Sequence, residues 1–261
     1  MSNQKSKPKP IRLTLLNADG AVTDDHATLN ARFTSIATAL NAATRQRAGE
    51  IGNRNDPIGL MAIAGDFLRL MQSLDSQYGP DAELPFSGAD AAADDALQYL
   101  TEIESWLDRL DIADQRENLH ALQIGIGYWA MRHGLPFQTA APIVNALAVQ
   151  SNLAATRQDT AAVYALMQGF IAHFSPSLGA DLERSNPERP WRLLNLNFAI
   201  TAIRTGDAAM MRFAFDTLNA NLPNECAGFY ADAIALASRP GFPSENLAII
   251  AVENAKWAPR H

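Results

Sequence analysis

Residues 191–223 read WRLLNLNFAITAIRTGDAAMMRFAFDTLNANLP, and this stretch decides the fold class of the chain. Apolar residues recur at intervals of three and four on both sides of Thr205-Gly206-Asp207, which is the spacing of an amphipathic helix. A glycine between two such segments can adopt the left-handed conformation that ends a helix, and Pro223 stops the second segment. The stretch therefore predicts two antiparallel helices joined by a tight turn.

The same stretch fits the register of a known helical repeat. With Arg192 as the first position of a unit of roughly 34 residues, Gly206 falls at the turn and Pro223 at the closing proline of a tetratricopeptide repeat. The family keeps apolar, small or aromatic residues at four positions that are occupied here by Phe198, Ala199, Ala202 and Phe215. The stretch thus resembles a tetratricopeptide-type hairpin, and weaker matches begin at Cys226 and around Ile126-Gly127. Met211, where the family prefers alanine, departs from the pattern.

The resemblance implies a groove that binds a peptide or a helix. In this register Arg132 and Arg204 stand near the ends of the first helices of two units, facing the concave side together with Tyr128, Asn197 and Tyr230. An arginine can donate two hydrogen bonds to one carboxylate, so these residues are expected to bind an acidic or C-terminal peptide. The alternative for each arginine alone is that it stabilises the C-terminal end of its own helix.

The rest of the sequence predicts an all-α protein of about ten helices. Residues 1–22 form a flexible tail with a short extended segment at Ile11–Leu16, and residues 23–115 form an N-terminal part of three helices, the first capped by Asp24 or Asp25. Residues 116–261 form stacked antiparallel hairpins, arranged either as a tetratricopeptide-like solenoid or as an irregular bundle. Turn-rich loops are expected at 76–88 and 175–190.

Composition excludes several classes of function. The formal charge is −7, and twelve acidic residues stand between Asp75 and Glu117, so a nucleic-acid partner is not expected. No window approaches the length of apolar sequence that a membrane-spanning helix needs. The single cysteine, Cys226, fits a reducing compartment, and the basic start of the chain lacks the apolar run of a signal peptide, so we expect a cytoplasmic protein.

No motif predicts a metal, a cofactor or a catalytic residue. Glu117 and His120 have the spacing of a di-iron ligand pair, but the chain lacks the second pair that such a site needs. Gly125 and Gly127 lie inside a helical pattern rather than after a strand, so close helix packing explains them better than dinucleotide binding. Asp94-Asp95 lacks the wider aspartate pattern of diphosphate enzymes and is expected to face water.

Three functions remain, and the first is favoured. It is a protein-interaction or adaptor module without a reaction of its own. The alternative is a helical enzyme or small-ligand-binding protein whose site lies between the N-terminal helices and the hairpins, lined by His120, His133, Tyr128 and Asp94. A structural subunit of a homo-oligomer, suggested by the apolar residues Trp106 and Phe86, is the third. An enclosed cavity with converging polar groups would favour the alternative, and an open groove the adaptor.

Overall fold

The computed structural model describes residues 26–47, 56–85, 88–136, 138–180, 182, 184–237 and 242–258, and every regular element in these ranges is helical. The helices are α1 (His26–Gln46), α2 (Pro57–Tyr78), α3 (Ala89–Arg109), α4 (Arg116–Arg132), α5 (Ala141–Leu153), α6 (Arg157–Leu178), α7 (Pro190–Thr205), α8 (Ala208–Asn221), α9 (Cys226–Ala237) and α10 (Ser244–Trp257). A 3₁₀ turn at Ala113–Gln115 precedes α4. The prediction of an all-α fold with about ten helices is confirmed.

Contacts divide the described chain into two compact groups. The first contains residues 26–148 and 166–195, and the second contains 149–165 and 196–258. Helices α5, α6 and α7 contribute residues to both groups. Helix α4, which the sequence analysis placed in the part that begins at residue 116, packs against α1 and α3 of the first group.

In the first group, helices α1 to α4 pack so that each contacts two others. Helix α1 lies against α2 and α4, and α3 lies against the same two helices. Helix α4 is buried over most of its length, and its two glycines make this possible. A Cβ atom on Gly125 would lie 2.6 Å from Leu29 Cδ2, and one on Gly127 would lie 2.4 Å from Ile143 Cδ1. Close packing at both glycines is therefore confirmed.

In the second group, α7 and α8 form the predicted hairpin turn. Gly206 has φ +68°, which a residue with a side chain rarely adopts. Asp207 caps α8, since its Oδ1 accepts the N–H groups of Ala209 and Met210 at 2.9 Å each. The ring of Phe198 on α7 meets that of Phe213 on α8 edge to face. Helix α10 packs against α8 and α9. These features are those of helical hairpins, and the tetratricopeptide resemblance itself stays a prediction.

Two helices are longer than the sequence suggested. Helix α2 runs to Tyr78 and α6 runs to Leu178, so each extends into the turn-rich loop that was predicted at 76–88 or 175–190. Pro176 lies in the last turn of α6, where its missing N–H removes a single hydrogen bond close to the helix end. The predictions for Ile11–Leu16, Asp24, Asp25 and Phe86 lie outside the described residues. Within the described ranges, no helix is long and apolar enough to cross a membrane.

Candidate functional site

A cavity of about 380 Å³ lies in the first group, where three chain segments meet. The segments are the residues that lead into α5, the end of α6 with the turn after it, and the start of α7. The lining is mostly small or apolar and consists of Gln138, Thr139, Ala140, Ala141, Ser177, Leu178, Ala180, Leu182, Arg189, Pro190 and Trp191. Among these described lining residues there is no histidine, cysteine, lysine or carboxylate, so they include no general acid or base of the usual kinds.

Asp94 fixes one wall of the cavity from α3. Its Oδ1 accepts the backbone N–H of Gln138 at 2.9 Å and that of Thr139 at 2.6 Å, and its Oδ2 lies 3.1 Å from the Gln138 nitrogen. These N–H groups lie two and three residues before α5, so the carboxylate holds the segment that leads into α5 against α3. The sequence analysis expected Asp94 to face water or to line a site. The structure instead gives it a positioning role beside the cavity.

Arg189 places a buried positive charge at the start of α7. The residue is 5% exposed, and its Nη1 donates to the carbonyl oxygens of Asn186 at 3.0 Å and Arg184 at 3.3 Å. Its own carbonyl accepts the N–H of Leu193 at 3.2 Å, which is the first hydrogen bond of α7. The side chain is thus held against the turn that precedes the helix. Arg189 is not among the binding residues predicted from the sequence.

Trp191 supplies apolar surface to the cavity rather than a hydrogen bond. The residue is 2% exposed, and its carbonyl accepts a hydrogen bond from Asn195 Nδ2 at 2.8 Å, which fixes the first turn of α7. Its indole nitrogen is shielded from solvent and has no hydrogen-bond partner among the residues that the structure describes.

Of the five predicted binding residues, Tyr128 and Arg132 belong to the first group. The guanidinium carbon of Arg132 lies 5.6 Å from the centre of the Tyr128 ring, a cation–π distance. Arg132 Nη2 donates to the carbonyl oxygen of Pro80. Its Nε lies 3.0 Å from Asp81 Oδ1, an ion-pair distance, without forming a hydrogen bond. Both residues therefore contact their own fold, and neither lines the cavity.

The other three predicted residues belong to the second group. Tyr230 is completely buried, and its hydroxyl donates to Asn219 Oδ1 at 2.9 Å, so the side chain offers a peptide no surface. Burial raises the pKa of this hydroxyl. Arg204 is exposed, and its Nη1 donates to the backbone carbonyl of Ser151. Asn197 is half-buried, and its carbonyl accepts the hydroxyl of Thr201 at 2.6 Å.

No comparison with known proteins identifies the chain. No protein-family model matches it, and neither a curated protein nor a solved structure is significantly similar to it. The function therefore has to be argued from the geometry alone.

A polar cluster around Asp75 forms the second notable feature of the first group. The Asp75 side chain is 9% exposed, and its Oδ1 accepts from Trp129 Nε1 at 2.8 Å and contacts His133 Nε2 at 2.7 Å. Its Oδ2 contacts His26 Nε2 at 2.8 Å. Burial alone would raise the pKa of Asp75, but the hydrogen bonds from His133, Trp129 and His26 outweigh burial and lower it. Residues 49 to 58 positions apart meet here, so no local pattern could reveal the cluster.

His120 and Cys226 each have close partners in the described structure. His120 Nε2 lies 3.3 Å from Glu104 Oε1, and this hydrogen bond is the main cause that lowers the pKa of Glu104. Burial, with Glu253 and Glu225, raises the pKa of the Cys226 thiol to about 11, which disfavours the nucleophilic thiolate. In the parts of the chain that the structure describes, no three metal-binding side chains stand close enough to hold an ion.

Proposed function

We propose that the protein binds a small molecule with an apolar body and an anionic head group. The observation that carries this proposal is the cavity of about 380 Å³, which lies in the range of about 300–1,000 Å³ usual for small-molecule sites. It corresponds to the alternative function inferred from the sequence. The cavity, however, is formed by the segments around α5, α6 and α7, and His120, His133, Tyr128 and Asp94 do not line it.

The lining favours an apolar body for the ligand. Alanine, leucine and proline side chains and the ring of Trp191 form most of the wall. Removing apolar ligand surface from water contributes about 25 cal/mol per Å², and small alanines leave room for that surface. The three uncharged polar side chains, Gln138, Thr139 and Ser177, are few enough to orient a ligand rather than to surround a fully polar one.

The charge distribution favours an anionic head group. Helices α5 and α7 both begin at the cavity, and the N-terminal end of a helix carries a partial positive charge. Arg189 adds a full positive charge at the start of α7. The C-terminal end of α6 also borders the cavity, at Leu178, and its partial negative charge disfavours an anion there. Because the Asp94 carboxylate already stands beside the start of α5, we place the head group near Pro190 and Arg189, and the apolar body along Leu178 and Ala180.

The proposal is tested by calorimetric titration with octanoate and with its neutral analogue octanamide. We expect octanoate to bind and to raise the melting temperature, because a ligand that binds only the folded state stabilises it. Octanamide should bind about tenfold more weakly, since it lacks the charge that the helix starts and Arg189 attract. The same titration with the double variant Ala141→Phe, Ala180→Trp should show no binding, because both substitutions fill the cavity from exposed positions.

Ala172→Trp provides the matched control. Ala172 is an exposed alanine of α6 that does not line the cavity, so this variant should bind octanoate as the wild type does. If the wild type binds neither compound, or if the filled variant binds as well as the control, the proposed function is wrong. Equal binding of octanoate and octanamide would support ligand binding in the cavity and contradict the preference for an anionic head group.

A protein-interaction function is the second candidate. Ile200 and Phe213, on the α7–α8 hairpin, are 41% and 48% exposed, although both are large apolar side chains. Exposed residues of this kind on a helical hairpin favour a peptide or helix partner, which is the function that the resemblance implies. A cytoplasmic location and a homo-oligomer remain predictions.

A further inference from the structure

One wall of the cavity is a short segment, residues 138–140, which leads into α5. Gln138, Thr139 and Ala140 all line the cavity. The Ala140 N–H bonds to the Gln138 carbonyl at 2.8 Å, and the Ala140 carbonyl accepts the N–H of Val144 at 3.0 Å. Ala140 is 3% exposed, whereas Thr139 is half-buried and Gln138 is exposed. Packing and a helix hydrogen bond therefore anchor the segment at its α5 end.

Asp94 ties the rest of this segment to α3. Its Oδ1 accepts the N–H of Gln138 at 2.9 Å and that of Thr139 at 2.6 Å, and its Oδ2 lies 3.1 Å from the Gln138 nitrogen. Among the hydrogen bonds of the described residues, these are the ones that join residues 138–140 to a helix other than α5. An ionised acceptor makes such bonds roughly twice as strong as those between neutral groups.

Helix α3 is a firm support for the Asp94 carboxylate. Ala93 and Leu97, on either side of Asp94, are completely buried, and α3 packs against α2 and α4. A side chain on a packed helix is placed more precisely than one on a loop. Asp94 does not itself line the cavity, so its contact with a bound ligand has to pass through residues 138–140.

We propose that Asp94 is a positioning residue of the cavity, which sets the affinity for a ligand by holding residues 138–140 in the binding conformation. This inference rests on the proposed function. When the binding conformation is populated for only a fraction of the time, the apparent dissociation constant rises by the inverse of that fraction. Without Asp94, the Gln138 and Thr139 end of the segment loses its two bonds to α3, and the wall leaves this conformation for most of the time.

The positioning effect and the charge of Asp94 act in opposite directions on an anionic ligand. Removing a negative charge beside the cavity would by itself favour octanoate over the neutral octanamide. Losing the wall weakens both compounds by the same factor, because both need the same wall. Asp94→Asn separates the two effects, since asparagine removes the charge but keeps a carbonyl oxygen that can accept both N–H groups.

Calorimetric titration of the full chain with both compounds tests the positioning role. Asp94→Ala should weaken octanoate and octanamide by about tenfold each, as expected when the binding conformation is populated for about a tenth of the time. Asp94→Asn should bind both compounds more tightly than Asp94→Ala does. Asp95→Ala is the matched control, because it removes the same charge from an exposed position of the same helix, and it should bind as the wild type does.

Hydrogen exchange of the Gln138 and Thr139 amides reports on the wall without any ligand, because these two N–H groups are the ones that Asp94 accepts. Their protection should fall by about tenfold in Asp94→Ala relative to Asp95→Ala. Saturating octanoate should restore it, since a ligand that needs the wall stabilises the wall in return. The same compound should raise the protection of both amides in the wild type, a measurement that stands even if Asp94→Ala fails to fold.

The outcomes separate this inference from the proposed function. Binding by Asp94→Ala that equals binding by Asp95→Ala would overturn the positioning role and leave the proposed function intact. Amide protection that is unchanged in Asp94→Ala, or unchanged by octanoate in the wild type, would also overturn it, and so would an Asp94→Asn variant as weak as Asp94→Ala. A wild type that binds neither compound would refute the proposed function, and the positioning role would fail with it.

Discussion

At the scale of single residues, Asp75 connects three elements of the first group. It lies on α2 and accepts hydrogen bonds from His26 on α1, Trp129 on α4 and His133 at the end of α4. A buried carboxylate without such donors would be costly, whereas removing the carboxylate leaves the two buried donors of Trp129 and His133, and the half-buried His26, without a strong acceptor. The contribution of Asp75 to stability should therefore be large.

Replacing Asp75 by asparagine should lower the free energy of unfolding by about 3 kcal/mol, as expected for breaking a buried charge pair. Urea unfolding monitored by circular dichroism at neutral pH measures this change. Asp66→Asn is the matched control on the same helix, because the Asp66 side chain is 70% exposed and pairs with Arg69. Such an exposed pair should contribute less than about 1 kcal/mol. Equal effects of the two substitutions would contradict the role assigned to Asp75.

The lowered pKa of Asp75 predicts that the free energy of unfolding depends on pH. The pKa of Asp75 is lower in the folded protein than its ordinary value, because its hydrogen bonds outweigh the effect of burial. Its stabilisation is therefore fully present above about pH 4, the ordinary pKa of aspartate, and is lost as the pH falls through the lower folded pKa. The difference in unfolding free energy between wild type and Asp75→Asn should narrow below about pH 4.

At the scale of helices, local signals in the sequence were sufficient for most starts and stops. Pro57 begins α2, with Asp56 accepting the Ile58 N–H at 3.1 Å as an N-cap. Gly206 ends the α7 region and Asp207 begins α8, as the spacing predicted. The ends of α2 and α6 predicted from the sequence are too early. Turn-forming residues follow each helix and predict an early end, but packing extends each helix by about one turn.

A substitution at Gly127 measures how closely α4 packs against its neighbours. Gly127→Ala should lower the free energy of unfolding by about 1–2 kcal/mol, because the new Cβ would lie 2.4 Å from Ile143 Cδ1 and 3.3 Å from Phe170 Cε1. The gain in helix propensity offsets only part of this cost.

Gly59→Ala on α2 is the matched control, since nothing lies within 4 Å of its Cβ position. It should leave stability unchanged or raise it by up to about 1 kcal/mol. Chemical unfolding of both variants measures the difference, and a stabilised Gly127→Ala would show that α5 and α6 yield to the extra methyl group.

At the scale of the whole molecule, the second candidate function places a partner on the exposed apolar side chains of the α7–α8 hairpin. Ile200→Ser with Phe213→Ser should abolish recovery of a partner protein from a native lysate if the α7–α8 hairpin is the interaction surface. Val252→Ser is the matched control, because Val252 is 57% exposed on a different helix, α10. Unchanged recovery with the double variant would contradict this surface. Light scattering of the same proteins tests whether a second copy of the chain is the partner.

Apolar residues at intervals of three and four, together with Gly, Pro and Asp at helix ends, determined the all-α class and the approximate bounds of ten helices from the sequence alone. These signals are local, because helix hydrogen bonds connect residues four apart. The sequence also predicted that Gly125 and Gly127 serve packing. Arg132 and Arg204 lie at helix ends, and each donates to a backbone carbonyl of another segment, Pro80 and Ser151, rather than of its own helix.

The cavity beside Arg189 and the cluster around Asp75 were decided by the tertiary structure. Gln138 and Trp191 are 53 residues apart in the sequence, and His133 is 58 residues from Asp75, yet each pair belongs to one site. No periodic pattern records which helices become neighbours, because that choice depends on the fit of whole helix faces. The sequence could therefore indicate which side chains have suitable chemistry, but only packing brought Asp75, His133 and the Ala82 carbonyl within hydrogen-bond distance.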